Sequence, residues 1–476
     1  MKASIVLLLL CWLVMAVMYQ SERIESRRAY QRGYAAAVDS VKALLGLHYP
    51  EHEVIVVNDG SEDSTLQCMI EAFDMHPTER QQVAALQATR IRGVYASRRH
   101  ENLLLVDKEN GRKADAANAG IGFAITPLVC VIDADSLIEP DGLLRATEPF
   151  MSDEGDLIAV GGAIRIVNGS LVRGGHIEKI GLSDRWLPRF QVVEYMRAFL
   201  TARIANAQLG MLMLISGAFG IFRRDLIVEI GGYRDDTVGE DLELVTRLHR
   251  HMRETRRAYR IDFVPEIVCW TEAPETFEGL RNQRTRWQQG ALETLSRHRA
   301  MVGNPRYGRI GLLAMPLIVL EDVIGPPAEL IGYLVFPIGF ALGILDAPTA
   351  LAFLSLTFVF GTAVSVGTLA LEEQQLRRTP TAADLMRVAL AAVVENFGYR
   401  QINLVYRLRG FWRFARGDTA WAPVPRRGFT RADSGKTQWP RLVERRRDGA
   451  HAIQPLGDFE EAHEEEDARG QQAQGR

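Results

Sequence analysis

Cysteine is scarce in this chain, and the little there is does not pair. Of 476 residues four are cysteine, and Cys11, Cys68, Cys130 and Cys269 stand far apart with no C-x-x-C spacing. That argues against a zinc site and against a disulfide framework, and it suits a reducing compartment. An excess of charge of one sign is missing as well. The 56 Lys and Arg against 59 Asp and Glu leave a net charge of -3. A chain so balanced has no global basic field, which argues against a nucleic-acid partner. It also has no internal repeat. Hydrophobic residues make up 47%, yet the mean hydropathy is -0.05, because apolar ends flank a mixed middle.

The apolar ends suggest a membrane protein. Residues 4–19 (SIVLLLLCWLVMAVMY) are near the lower length limit for a spanning helix. A cleaved signal peptide is the rival reading, but no small-x-small site follows and the next stretch is charged. Only Lys2 precedes this run, whereas Arg23, Arg27, Arg28 and Arg32 follow it, so the positive-inside rule sets the next domain in the cytoplasm. Beyond residue 308, residues 330–345 and 350–371 read as spans. Residues 308–323 are apolar but carry Glu321 and Asp322, and read as an interfacial or partly buried helix. Arg377 and Arg378 return the chain to the cytoplasm. Residues 385–408 contain Glu395, Asn396, Arg400 and Gln401, which are costly in lipid, so this segment packs on protein, lines a polar path or lies at the interface. The end of the chain, with EEAHEEED and a Gln/Gly run, reads as disordered.

Between these ends, apolar runs closed by turn signals alternate with helical stretches. EVIVV (53–57) ends in Asn58-Asp59-Gly60-Ser61, PLVCVIDADS (127–136) carries carboxylates at its end, and LIAVGGAIRIV (157–167) is a third run. Helices are expected over 36–47, 65–73 and 113–124. The alternation predicts a largely parallel α/β sheet covered by helices, with ligands beyond the carboxyl ends of its strands. Asp59 and Asp133/Asp135 both fall at such ends.

Several clusters there have chemistry to offer. Asp133-Ala134-Asp135 supplies two hard oxygen ligands, as Mg²⁺ prefers alongside phosphates and water; alone, the pattern is more readily an acidic turn. Asp241, in Gly239-Glu240-Asp241, is a candidate general base, or an acid favoured by a helix N-terminus. Gln283-Arg284-Thr285-Arg286-Trp287 combines phosphate-pairing guanidinium groups with a flat apolar ring; a basic helix with a Trp at a membrane interface reads the same way. Asp59 either accepts from a nucleobase or closes an Asx turn. Lys113 and Asp115, in GRKADAANAG, either meet phosphate or base or form the first turn of a solvated helix.

The order of these motifs is more specific than any one of them. Asp59, then Asp133/Asp135, then Asp241, then Gln283-x-x-Arg286-Trp287 resembles the D, DxD, D, QxxRW signature of processive family 2 glycosyltransferases. That group includes bacterial synthases of cellulose, hyaluronan, chitin-type oligomers and poly-β-1,6-N-acetylglucosamine. HYPEHEVIVVNDGSEDST, SGAFGIFRRD and GGYRDDTVGEDLEL are similar to it too, over about residues 40–425. ENFGYRQ near Glu395, and the W…RRGF stretch from Trp421 past Arg427, are similar to the poly-N-acetylglucosamine-synthase-like branch.

The resemblance implies a GT-A (Rossmann-like) cytoplasmic domain with N- and C-terminal transmembrane helices. It implies an inverting, processive hexosyltransferase that polymerises a UDP-sugar, UDP-GlcNAc on this branch, into a β-linked polysaccharide coupled to export. Asp59 would touch the uracil, and Lys113 and Asp115 would belong to the donor pocket. Asp133 and Asp135 would serve the nucleotide and a Mg²⁺ or Mn²⁺ ion, Asp135 more directly. Asp241 would be the base. Gln283, Arg286 and Trp287 would hold the diphosphate and the terminal acceptor sugar, with Ser216 and Gly217 near the acceptor end. The expected partners are the UDP-sugar, the growing polysaccharide, the lipid bilayer and accessory export proteins.

The expected divisions are an anchor (1–20), the GT-A domain (21–307), an interfacial helix (308–329), two transmembrane helices (330–371), a cytoplasmic loop with an amphipathic or membrane-associated helix (372–428), and the tail (429–476). One part of the family pattern is missing. No strand and loop resembling V-S-V-I-V-P-A-Y-N-E precedes the first helix, which is expected to bare a sheet edge beside EVIVV and thin the donor site. Two other activities stand beside the first: transfer of one sugar to a lipid acceptor, which QxxRW argues against, and, because of the missing strand, an inactive membrane subunit.

Overall fold

The computed structural model describes residues 33–84, 86–153, 155–173, 175–376 and 381–418. The expected anchor at 1–20, the W…RRGF stretch and the tail at 429–476 lie outside them.

Helix α1 (Gly33–Leu45) leads into β1 (Val54–Asp59), which ends at Gly60 with φ +69°. That turn needs glycine, since a Cβ there would lie 2.7 Å from the Asn110 backbone nitrogen. Helix α2 (Thr65–Ala72), strands β2 (Met75–Pro77), β3 (Ile91–Ser97) and β4 (Leu103–Lys108), and helix α3 (Arg112–Phe123) follow. Next come β5 (Leu128–Val131), β6 (Ser136–Ile138), α4 (Gly142–Met151), β7 (Leu157–Ile166), the hairpin β8 (Leu171–Arg173) and β9 (His176–Lys179), and α5 (Trp186–Met196). The predicted strands and helices are thus present to within a few residues.

The largely parallel sheet is not. The described residues form two mixed sheets, ordered β1-β4-β3-β2 and, with β10 (Gly220–Arg223) and β11 (Arg260–Thr271), β5-β10-β7-β11-β6. Only β1/β4 and β7/β11 pair in parallel. Chain length explains part of the difference: β3 and β4 are joined by too few residues for a crossover, so they turn back antiparallel. Among the described residues β1 pairs on one side only, and so does β5. β4, whose six residues are all buried, is one of the two interior strands of the first sheet, with β3.

Helix α5 runs on into a π-helical segment, Arg197–Arg203, and a short turn, Ile204–Gln208. Helices α6 (Arg224–Glu229), α7 (Glu240–Glu254) and α8 (Phe277–Arg297) complete the α/β part. α8 starts where the Thr276 hydroxyl accepts from the Gly279 N–H at 3.1 Å.

Two described helices are long and apolar enough to cross a membrane: α9 (Ile310–Ala341), and residues Ala347–Ala370 of α10 (Ala347–Leu376). The segment 308–329, read from sequence as a separate interfacial helix, is continuous with the one after it. Its Asp322 is paired with Arg407 at 2.8 Å. The polar segment 385–408 is two helices, α11 (Ala382–Val394) and α12 (Tyr399–Arg416). Glu395, between them, is fully buried against protein. It is ion-paired with Arg197, at the head of the π segment, and accepts from the Ser365 hydroxyl of α10 at 3.2 Å. Leu187, Phe190 and Val193 of α5 share one apolar cluster with Leu369, Val388, Ala391, Ala392 and Tyr399.

Candidate active site

The helix N-termini of α3 and α7 converge with the loops after β5 and before β10. Lys113, in the first turn of α3, places Nζ 2.8 Å from Asp133 Oδ1, 3.4 Å from Glu240 Oε1 and 3.8 Å from Asp241 Oδ1. The same ammonium donates to the Gly217 carbonyl at 3.5 Å, while the Gly217 N–H donates to Asp241 Oδ2 at 2.9 Å. Ser216 lies in the turn that Phe219 closes by donating its N–H to the Ser216 carbonyl at 3.0 Å. A Cβ at position 217 would overlap both the Lys113 ammonium and the Asp241 carboxylate, so a side chain there would displace these two groups. Lys113, Asp133, Asp241, Ser216 and Gly217 are therefore one cluster, with Glu240 added. Asp135 stands in the same turn, two residues beyond Asp133.

Three acids around one cation in a largely dry place perturb each other. Burial pushes the Asp241 carboxyl up to about 7; Glu240 and Asp133 add to this, while Lys113 and the Gly217 N–H oppose it. Burial alone would lower Lys113, but Asp133, Asp241 and Glu240 hold its ammonium well above the usual lysine value. Burial lowers Arg203, the last residue of the π segment, to about 10, with Tyr195 and Asp241 acting the other way. Its guanidinium lies 3.8 Å over the Phe199 ring. Tyr233 is raised well above 10 by burial and then by Asp241.

Asp59 and Asp115 gather around a different cation. Lys108, the fully buried last residue of β4, is ion-paired with both. Asp59 Oδ1 also accepts from the Gly111 N–H at 2.9 Å. Asp115 accepts from the Thr89 N–H at 2.8 Å and from its hydroxyl at 2.9 Å. This second network borders the start of α3, one turn from Lys113.

On α8, Gln283, Arg286, Trp287 and Gly290 follow at helical spacing along one side. A Cβ on Gly239 would lie 2.7 Å from the Gly290 Cα, so this side of α8 abuts the N-terminus of α7 two residues before Asp241. Gln283 is buried, whereas Trp287 is 42% exposed with the Arg284 guanidinium 4.4 Å over its ring. Arg284, inside QxxRW, is held by Glu194 at 2.5 Å, and Glu194 also accepts from the Tyr399 hydroxyl at 2.8 Å. It braces α8 against α5 and α12.

Sequence reasoning missed Lys108, Glu194 and Arg203. Only Lys108 carried a local signal, a lone cation closing the apolar run LLLVDK.

Asp133 and Asp135 have the right chemistry for a hard divalent cation. Among the described residues no three His, Cys, Asp or Glu side chains converge as a cage. The residues therefore fit Mg²⁺ or Mn²⁺ in one form: two carboxylates whose coordination a diphosphate and water complete. What the chain itself supplies is a carboxylate titrating near neutrality, a fixed ammonium beside it and an aromatic face on the adjacent helix. Such a set can take a proton from a hydroxyl.

A family model described as glycosyltransferase like family 2 matches residues 31–290. The poly-β-1,6-N-acetyl-D-glucosamine synthase of Staphylococcus aureus (strain COL) is 30% identical over 260 residues, 54% of this chain and 52% of that protein. The synthase of the same name from Staphylococcus epidermidis gives the same identity and coverage. The match thus spans about half the length of these curated relatives. Among solved structures, mannosyltransferase PcManGT from Pyrobaculum calidifontis in complex with GDP-Man and Mn²⁺ aligns at 17% identity with a TM-score of 0.47, covering 80% of this chain and 84% of that one.

Proposed function

The chain belongs to the glycosyltransferase family 2, and from that premise we propose that it is an inverting, processive enzyme that polymerises UDP-GlcNAc into a β-linked polysaccharide at the cytoplasmic face of a membrane. The observation that carries the reading is the cluster in which Lys113 joins Asp133 to Asp241, a carboxyl raised to about 7. Identity to two poly-β-1,6-N-acetyl-D-glucosamine synthases supports the choice of sugar. The apolar helices α9 and α10 support the membrane and the coupling to export.

Asp241 accepts the proton of the acceptor hydroxyl as that oxygen attacks the anomeric carbon. Gly217 and Lys113 hold its carboxylate in place, and Lys113 keeps its own proton throughout. Trp287 offers its exposed face to the terminal acceptor sugar. Arg286 and Gln283 steady the diphosphate as it departs. Mg²⁺ or Mn²⁺ bound by Asp133 and Asp135 would neutralise charge on that diphosphate. A single direct displacement turns an α-linked donor into a β-linked product, so one base suffices and the paired carboxylates of glycosidases are not needed.

The test is product analysis from membranes given UDP-GlcNAc, UDP-glucose or UDP-glucuronate, with UDP release followed in parallel. A polymer from UDP-GlcNAc is expected. A lipid bearing a single sugar would refute processivity. Equal UDP release by wild type and Asp241→Asn would refute the catalytic reading.

A further inference from the structure

On the far end of α7 from Asp241 lies a cavity of about 360 Å³, walled by the C-terminal half of α7, the start of β11, the turn at Leu209 and the residues just before α9. This volume suits a small ligand or headgroup. Three guanidinium groups line it, from Arg253, Arg260 and Arg309. Arg260 is answered by Asp153 at 3.1 Å and Asp262 at 2.5 Å. Arg253 and Arg309 form no ion pair with a carboxylate among the described residues. Arg253 instead lies 5.4 Å over the Tyr259 ring, and Arg309 donates to the Leu209 carbonyl at 3.3 Å. His249 adds no charge: its Nε2–H donates to the Leu212 carbonyl at 2.9 Å and its Nδ1 accepts from the Tyr259 hydroxyl at 2.8 Å. Both ring nitrogens are thus used by a neutral imidazole, which burial keeps neutral with a pKa near 4.

Two uncompensated arginines on one cavity point to an anion with several oxygens, because the guanidinium fork matches phosphate. The surroundings point to where that phosphate comes from. Arg309 is the last residue before the apolar helix α9, and Leu312 and Leu313, one turn on, are 49% and 52% exposed. Leu209, on the cavity wall, is 49% exposed. A phosphate held by Arg253 and Arg309 would have apolar surface beside it for the chains of a lipid.

We propose that this cavity binds a phosphate-bearing anion, and that the source is the headgroup of an anionic phospholipid. The site is remote from the Asp241 chemistry and does not depend on it. The test uses the full chain purified in detergent and titrated calorimetrically with dioctanoyl phosphatidylglycerol, dioctanoyl phosphatidylcholine and inorganic phosphate. Wild type should prefer phosphatidylglycerol. Arg253→Gln/Arg309→Gln should weaken that binding by on the order of tenfold or more, and Arg253→Lys/Arg309→Lys, which keeps the charge but not the fork, should restore only part of it. Inorganic phosphate bound as tightly as the lipid, and lost in the same Gln variant, would keep the phosphate site and overturn the lipid as its source. Equal lipid binding by wild type and the Gln variant would overturn the site. If the double variant fails to fold, Arg309→Gln alone is read against the same two outcomes, since Arg309 is exposed.

Discussion

Replacing the proposed base should make this protein more stable while stopping its chemistry. In the folded chain the Asp241 carboxyl titrates near 7, mainly because burial penalises its charge, against an ordinary value of 3.8. Between those two values the folded state keeps a proton that the unfolded state has released. Stability therefore falls as pH rises from about 4 to about 7 and is level above that. At roughly 1.4 kcal/mol per pKa unit the loss has a ceiling of about 4 kcal/mol. The side chain is 26% exposed, so solvent screening brings the expected value to about 2–4 kcal/mol. Asp241→Asn is nearly isosteric and carries no charge, so it removes this pH-dependent loss. Thermal unfolding of wild type and variant in detergent from pH 4 to 9 reads it directly. The two should coincide near pH 4, and the variant should melt progressively higher up to pH 7 and keep its advantage beyond. A gap that is constant with pH, or an advantage that is largest at acid pH, would refute the assignment of a raised carboxyl to Asp241.

Three further expectations test the surroundings. Lys108→Met strips the counter-charge from Asp59 and Asp115 inside the fold, and should cost on the order of 3–5 kcal/mol in denaturant unfolding; a change below 1 kcal/mol would mean the pair is not buried as described. Gly217→Ala pushes a methyl group between Lys113 and Asp241, and should lower kcat on the order of a hundredfold with the melting temperature little changed; unaltered turnover would show that Asp241 does not work from this position. Asp135→Ala should abolish metal-dependent UDP binding, as EDTA should for wild type, and binding indifferent to EDTA would contradict the metal role.

The local features were readable because local chemistry writes them. NDGS forces the turn after β1, and the helix expected over 113–124 is present as α3. Pairing partners are set by contacts distant in sequence, and so the antiparallel pairing of β5, β7 and β10 did not show in the alternation of elements. The same holds within the site. Motif order grouped Asp59, Asp133 and Asp241, and the resemblance set Lys113 beside Asp115; nothing in the spacing told that Lys113 would join Asp133 to Asp241, or that Lys108 would claim Asp59 and Asp115. Asp322 was legible in part: its charge argued for an interfacial or partly buried helix, but its partner Arg407, far along the chain, could not be read from spacing.

The pairing of Arg197 with Glu395 limits how the molecule can be divided. A soluble fragment cut before residue 310 would keep Arg197 but discard its counter-ion. It would also bare Leu187, Phe190 and Val193, which now rest on Leu369, Val388 and Tyr399. The π segment that such a cut unsettles ends at Arg203, whose charge is felt at Asp241. The helices from α10 onward are therefore a structural wall of the α/β part, and the two should fold and purify as one unit.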